Sequence, residues 1–352
     1  MAEPATTAGG LDTLTLSTLV HYLPKMADNI TNGPGFMRFA KKHKLIRSEQ
    51  LTGRETVIGI DREDNTNNQW FDNADPLTVA PSSGDLDGRV GHYNATSAVY
   101  ITLTEEWENA APDKRRDLLD RRIKACERAM KVWLAQQICG TRGSDTKRPE
   151  GIRDLMGGNN PNSAQGTLHG LAPGTYDWWV VNCNVATSLG ANNSGLQRQA
   201  LKQFLDLQKE QGRPDVGICD LEYYQAFSEL VLGANPTAGH PGLVGRTYSG
   251  DRPAGKQDGG GIPMLQWNGA TIVYDPYTVI PSTYTSGTDM HINWIDSDHF
   301  HLVVDPRANF KMLKPRQLAG GDEQLVNVYR FLFRCQTRCY KRNAHGVSII
   351  NL

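Results

Sequence analysis

One short segment of this sequence combines the residue types that bind metal ions. Asp296 and Asp298 stand next to His299 and His301, and carboxylate and imidazole groups are common metal ligands in proteins. On a strand, however, His299 and His301 share one face while Asp298 points to the other. A solvated turn that leads into an ordinary strand explains the same residues. A soluble metal-dependent enzyme built on this segment is therefore a remote alternative.

The other groups of reactive residues are weaker evidence for catalysis. Glu105, Glu106 and Glu108 could act as paired carboxylates, but acids are also favoured beside the start of a helix. Residues 259–261 are consecutive glycines, yet the Lys-Ser/Thr of a phosphate-binding loop does not follow them. No Gly-x-Ser-x-Gly element occurs, and the six cysteines match no redox, zinc or nucleophile motif. The sequence thus favours a structural role over a catalytic one.

Composition places the chain among soluble, core-forming proteins. Its 352 residues are 39% hydrophobic and 21% charged, with a formal net charge of -1 that argues against a freely diffusing nucleic-acid binder. The charge is unevenly distributed, with eight acids against three bases over residues 53–104 and eight bases against four acids over residues 113–139. No apolar run is long enough for a transmembrane helix, and the N-terminus does not resemble a signal peptide. These features predict a cytosolic product with reduced thiols and no membrane partner.

A long helix is the best-defined element. Pro112 suits its first turn and Gly140 its end, and an apolar face recurs at steps of three and four residues between them. This pattern predicts a helix over residues 113–139, which would span roughly 40 Å.

The segments around this helix differ in character. Residues 1–50 are predicted to form an arm, and residues 51–104 a long irregular hairpin that returns along a period-two strand at residues 95–104. Residues 176–304 are predicted as an α+β unit of helix, strand, helix and further strands. Near the C-terminus, aromatic residues and cysteines alternate with Arg330, Arg334 and Arg338, which predicts a strand.

The order of these elements resembles a known family. The strand ending in Glu105, then Asn109, the long helix, the turn containing Glu150 and Gly151, and the helix–strand–helix of residues 201–230 follow one another. This order resembles the major capsid proteins of tailed bacteriophages, which carry the Hong Kong ninety-seven fold. The resemblance covers roughly residues 50–352 and implies a shell protein that catalyses no reaction and needs no cofactor.

The resemblance implies an α+β fold with a peripheral domain, built from a spine helix and long strands, and an inserted axial domain. The expected divisions are an N-terminal arm (1–50), an extended hairpin loop (51–104), the peripheral domain with the spine (105–175), the axial domain (176–304) and the final peripheral strands (305–352). Copies would form hexamers and pentamers of an icosahedral head around double-stranded DNA, assembled in the host cytoplasm and located in the virion. The same fold also builds encapsulin compartments, which are the closest alternative.

Several residues acquire expected roles from this resemblance. Trp70, Phe71, Glu105, Arg121 and Arg122 are candidates for contacts between subunits, with Glu105 expected to pair with a basic residue of a neighbour. Arg330, Arg334 and Arg338 are candidates for contact with packaged DNA, or for solvated faces and intersubunit ion pairs. Cross-linked members of the family use a loop lysine, whereas this chain has no lysine between Lys44 and Lys114. A separate scaffolding protein, a portal protein and a decoration protein are the other expected partners.

Overall fold

The computed structural model describes most of the chain between residues 45 and 350. The described residues are 45–60, 86–102, 112–158, 165–186, 194–232, 264–278, 289–317 and 326–350, together with residues 40, 105, 108 and 161. The N-terminal arm predicted over residues 1–50 lies almost entirely outside this set. The last part of that arm, β1 (Ile46–Ser48), is a short strand. Among the described residues, no helix is both long and apolar enough to cross a membrane.

β1 is an edge strand of a four-stranded sheet. Its order is β1, β10 (Phe300–Gln317), β11 (Val326–Cys339) and β4 (Tyr93–Thr102), with β1 parallel to β10 and the other pairs antiparallel. The predicted alternation in β11 is confirmed, because Tyr329, Phe331 and Phe333 are buried while Arg330 is exposed. Alternate side chains of a strand point to opposite faces, so one face of β11 faces the core.

The long helix covers one face of this sheet. It runs as α1 (Pro112–Cys139), within one residue of its predicted start, and packs against β4. The Ser97 hydroxyl of β4 lies 2.9 Å from the Cys126 sulfur of the helix. Residues at helical spacing form the buried face, namely Ile123, Met130, Leu134 and Ile138. A short helix, α2 (Ile152–Leu155), follows a turn at the end of α1.

A six-stranded sheet forms the second layer of strands. Its order is β5 (Asn182–Ala186), β12 (Gly346–Ile350), β9 (Met290–Ile295), β6 (Val216–Cys219), β8 (Ala270–Tyr274) and β7 (Met264–Trp267). The helices α3 (Ser194–Lys209) and α4 (Leu221–Leu232) pack on it, and both agree with the predicted helices. The aromatic residues Phe204, Phe227, Trp267 and Trp294 form the centre of the core between helices and sheet.

The hairpin predicted over residues 51–104 has a different return strand. Its two strands are β2 (Glu55–Ile60) and β3 (Leu86–Gly91), which pair antiparallel from Glu55 opposite Gly91 to Ile60 opposite Leu86. The expected return along residues 95–104 is wrong, because β4 pairs with β11 in the four-stranded sheet. A period-two pattern identifies a strand but not its partner, and β4 carries the stronger pattern of the two candidates.

The two sheets do not divide the chain at the predicted boundary between residues 304 and 305. Strand β10 crosses that boundary within the four-stranded sheet, and β12 pairs with β5 and β9 of the six-stranded sheet. Mixed α+β architecture is confirmed by these sheets and helices. The peripheral and axial domain boundaries stay a prediction.

Candidate functional site

The base of the β2–β3 hairpin is held by polar side chains of β11. Arg334 donates to the Gly53 carbonyl at 2.9 Å and lies 2.7 Å from His92 Nδ1. The other imidazole nitrogen, Nε2, is 2.7 Å from the Thr56 hydroxyl, which in turn donates to Gln336 at 3.3 Å. The arginines that alternate with aromatic residues in β11 therefore face the hairpin at this end of the strand.

Three groups surround the His92 imidazole. Nδ1 lies 2.7 Å from the Arg334 guanidinium and 3.2 Å from the Gly53 carbonyl oxygen, and Nε2 faces the Thr56 hydroxyl. Because a guanidinium can only donate, the contact with Arg334 favours a neutral imidazole. Burial lowers the pKa of His92. The Gly53 carbonyl raises this pKa, but the charges of Arg334 and Arg338 lower it, so the overall shift is downward. The hairpin base is thus built around a neutral imidazole.

A tight turn holds the opposite edge of the hairpin. Arg89 of β3 donates its backbone N–H to the His169 carbonyl at 3.1 Å. His169 and Gly170 are the central residues between paired Leu168 and Leu171, with φ angles of 54° and 82°. Positive φ at both central positions is typical of a two-residue hairpin turn. This geometry directs the His169 imidazole into the protein.

The His169 side chain joins this turn to the core. Its Nε2 accepts the Cys339 backbone N–H at 3.0 Å, which places the proton on Nδ1, 2.6 Å from the Glu150 carboxylate. Arg142 approaches the other carboxylate oxygen at 3.3 Å. Burial raises the pKa of Glu150, but the hydrogen bonds from His169 and the charge of Arg142 outweigh it, so the pKa is lowered. Glu150 is therefore a buried anion with matched partners.

The turn that carries Glu150 locks the end of α1 to the sheet. The Thr337 hydroxyl of β11 donates to the Glu150 carbonyl at 2.7 Å. A Cβ on Gly151 would lie 2.1 Å from the Gly140 carbonyl oxygen, so only glycine permits this approach. Asp154 accepts the backbone N–H groups of Arg142 at 2.6 Å and Gly151 at 3.0 Å. Glu150 and Gly151, two of the residues on which the family resemblance rests, thus connect the end of α1 to the sheet.

The segment that precedes β2 is bound to two strands of the four-stranded sheet. Leu51 donates its N–H to Asp305 at 3.3 Å and accepts from Arg307 at 2.8 Å. Hydrogen bonds from Arg307 lower the pKa of the Asp305 carboxyl to about 2. Glu49, two residues before Leu51, pairs with Arg338 at 2.6 Å. The chain entering β2 is therefore fixed to β10 and β11.

The far end of β4 carries an ion pair within the chain. Glu105 pairs with Arg122 of α1, and it accepts the Thr102 backbone N–H at 3.1 Å. Arg122 also donates to the Tyr100 carbonyl and lies over the Tyr100 ring, 5.5 Å from its centroid. Glu105 therefore has a basic partner within its own chain, and its contact with a neighbouring subunit stays a prediction. The partner is 17 residues away in sequence, beyond the reach of a local pattern.

The remaining predicted contact residues have different positions. Trp70 and Phe71 lie outside the described residues, and Arg121 is exposed on α1. Of the three arginines proposed to face DNA, Arg330 is exposed, whereas Arg334 and Arg338 bond within the chain as described above. Contact with DNA stays a prediction for all three.

The segment considered as a metal site, residues 296–301, begins with a turn. Asp296 accepts the backbone N–H groups of Arg213 at 2.8 Å and Asp298 at 2.9 Å, and lies 3.1 Å from His299. The described part of the chain contains no group of three ligand side chains that could hold a metal ion. All six cysteines are free thiols. Burial raises the pKa of Cys335 and Cys339 to about 12, so neither is a thiolate near neutral pH.

Sequence reasoning missed His92, His169 and Arg342. Arg342 is fully buried and donates to the carbonyls of Leu155 at 3.1 Å and Gly166 at 2.8 Å. The His169-Gly170 pair is a turn signal that could have been found, because such pairs favour positive φ. Nothing local marks the other two, since their partners are far away in sequence.

Comparison with known proteins supplies the fold. No protein-family model and no curated protein sequence matches the chain. A structure of the Cyanophage A-1(L) capsid asymmetric unit matches with a TM-score of 0.54 and 10% identity, over 87% of this chain and 90% of that chain. One of Mycobacterium phage Bobi matches with a TM-score of 0.51 and 11% identity over 88% and 89% of the two chains. One of Microbacterium phage Oxtober96 matches with a TM-score of 0.50 and 10% identity over 91% of each chain. The expected resemblance is confirmed at the level of the fold.

Proposed function

We propose that this chain is the major capsid protein of a tailed bacteriophage. Copies associate into hexamers and pentamers that close into an icosahedral shell around double-stranded DNA. The observation that carries this proposal is the shared fold with the Cyanophage A-1(L) capsid asymmetric unit over 87% of the chain. Fold alone does not specify function, so the anchored hairpin and the charge distribution provide the additional support.

The hairpin is the element we assign to contact between subunits. Its base is fixed to the sheet and to the His169 turn, as an arm that must withstand load requires. The acidic excess of residues 53–104 and the basic excess of residues 113–139 provide complementary surfaces for head-to-tail association of identical copies. Trp70 and Phe71 are the residues we expect to anchor the arm on a neighbour, since aromatic residues often dominate interfaces.

The same proposal assigns location and partners. The protein assembles in the host cytoplasm and resides in the virion, with a separate scaffolding protein, a portal protein and a decoration protein as partners. Of the three β11 arginines, Arg330 is the exposed one, and we assign it to non-specific contact with phosphate groups. An encapsulin-type compartment has the same architecture but encloses protein cargo. Nucleic acid inside purified particles distinguishes the two functions.

Electron microscopy and sedimentation of the expressed protein test the proposal. Wild type, with its scaffolding protein where required, should form closed particles of uniform size. Deletion of residues 64–85 with a short glycine link, which leaves β3 intact, should abolish particles but change the melting temperature little, because loop length affects closure entropy weakly. Trp70→Ala with Phe71→Ala should weaken assembly in the same direction. A wild type that never forms particles, or normal shells from the deletion, would contradict this assignment.

Cohesion of the shell is expected to be noncovalent. No lysine occurs between Lys44 and Lys114, so the hairpin loop cannot form a lysine–asparagine isopeptide. Particles boiled in denaturant and reductant should therefore run as a single 38.9 kDa band. A ladder of covalent oligomers would show that another residue forms a cross-link.

A further inference from the structure

Among the described residues, nothing pairs with part of the outer edge of β4. β4 pairs only with β11 among the described strands, and the ten residues of their ladder show no register shift. Thr102 N–H and Tyr100 C=O bond to Glu105 and Arg122 rather than to β11, so the even-numbered residues point their backbone groups outward. Asn94, Thr96 and Ala98 share this orientation, because backbone direction alternates along a strand.

One end of this edge is closed by side chains. Arg122 supplies a donor to Tyr100 and Glu105 an acceptor to Thr102, and together they replace the rung that a neighbouring strand would make. Side chains also bond to the backbone of β5, an edge strand of the six-stranded sheet. Gln199 and Gln203 of α3 donate to the β5 carbonyls of Asn184 and Asn182, each at 3.0 Å. No described side chain does this for Asn94, Thr96 and Ala98.

The open stretch also lacks the usual protection of an edge strand. Natural proteins block such edges with charges, prolines or bulges, since an unprotected edge pairs with another chain. The sequence of β4, Tyr-Asn-Ala-Thr-Ser-Ala-Val-Tyr-Ile-Thr, contains no charged residue, no proline and no glycine. The side chains of Asn94, Thr96 and Ala98 are exposed and small, so none obstructs an approaching strand.

We propose that this edge pairs with the same edge of a second copy of the chain. The open residues are centred on Thr96, so a two-fold axis there places Thr96 opposite Thr96 and Asn94 opposite Ala98 of the second copy. Each rung then exchanges N–H···O=C bonds in both directions, and the Arg122–Glu105 pair ends the ladder on either side. An uncharged edge meets its own copy without repulsion, and an isologous contact of this kind closes as a dimer.

This contact rests on the proposed shell function, for which it supplies a two-fold joint, but it can fail separately. Residue-resolved hydrogen exchange tests it within one strand. The outward amides of Thr96 and Ala98 should exchange at least about tenfold more slowly in assembled protein than in dissociated chains. The inward amides of Ser97 and Val99, which bond to β11, should be protected in both states and serve as the internal control.

Cross-linking tests the register. Cross-strand partners in such a rung are about 5.5 Å apart, whereas residues four positions away along a strand are about 14 Å apart. A short bismaleimide should therefore join Thr96→Cys chains into dimers and leave Asn94→Cys chains at the wild-type background set by the native thiols. Equal cross-linking of both variants, or none for Thr96→Cys in assembled protein, would refute self-pairing.

A charge on the edge tests its contribution to association. Ala98→Lys should weaken association at least about tenfold, while Ala98→Thr, which is neutral and suits a strand, should behave as wild type. Wild-type shells in which Thr96 and Ala98 exchange freely would overturn the edge proposal and leave the capsid function intact. Protection of both amides in dissociated chains would also overturn it, because a segment of the same chain would then cover the edge.

Discussion

Replacing Glu150 with glutamine should destabilise the joint between the hairpin, the sheet and the end of α1. One carboxylate oxygen faces His169 Nδ1 at 2.6 Å and the other faces Arg142 at 3.3 Å, so both oxygens meet donors. A glutamine amide must turn its NH2 group toward one of them. The Glu150 side chain is only 12% exposed, and breaking a buried pair by changing one partner costs about 3 kcal/mol.

The effect should depend on pH with a defined sign. The pKa of Glu150 is lowered in the folded protein, so its contribution is fully present above the unfolded pKa, about 4.3, and is lost as pH falls through the folded value. The stability difference between wild type and Glu150→Gln should therefore be constant near neutral pH and shrink below pH about 4.

Urea unfolding followed by tryptophan fluorescence provides the measurement, because the Trp179 ring lies 6.5 Å from the His169 ring. Glu49→Gln is the matched control, since Glu49 also pairs with an arginine but is 40% exposed and should cost less than about 1 kcal/mol. Combining Glu150→Gln with His169→Asn, which keeps a residue that tolerates positive φ, should reveal a coupling of about 1–3 kcal/mol. Equal effects of the two glutamine variants, or zero coupling, would refute the reasoning.

Three further expectations follow from single contacts. Gly151→Ala should lower the unfolding free energy by about 1–3 kcal/mol or more, because its Cβ would meet the Gly140 carbonyl, whereas Gly174→Ala, whose Cβ has no neighbour within 4 Å, should melt as wild type. Burial lowers the pKa of His345 to about 3, so the unfolded chain binds its proton first and stability should fall by up to about 1.4 kcal/mol per pH unit below pH 6.5. Urea titrations at each pH should show a smaller slope for His345→Gln, and an unchanged slope would contradict this. Arg334→Met should increase hydrogen exchange in β2 and β3 while leaving α3 unchanged, and unaltered exchange would show that the Gly53 and His92 contacts do not hold the hairpin.

The sequence was most informative where a pattern is local. The limits of α1 follow from Pro112 and Gly140, and its buried face follows from helical spacing. Aromatic residues that alternate with arginines identified β11 and its buried face. In each case, the residues that determine the element lie within the element itself.

Pairing partners could not be read in the same way. The return strand of the hairpin is Leu86–Gly91, which contains Gly88 and Gly91 and therefore shows little strand pattern. The stronger pattern of Tyr93–Thr102 was assigned to the hairpin although it pairs with β11. Side-chain partners are equally hard to predict from sequence. Glu105 precedes α1, whereas its partner Arg122 lies within that helix. Partner choice depends on tertiary contacts that no single segment encodes.

The described contacts connect the hairpin to the spine through one hydrogen-bonded route. Arg89 of the hairpin bonds to the His169 carbonyl, the His169 imidazole reaches Glu150, and the Glu150 carbonyl accepts from Thr337 of β11. Gly151 then brings the same turn against the last residues of α1. A displacement of the hairpin base must therefore stretch these bonds or move α1 and β11 with it. In a shell, this arrangement would transmit force from the arm to the spine of its own subunit, because both end on the same buried joint.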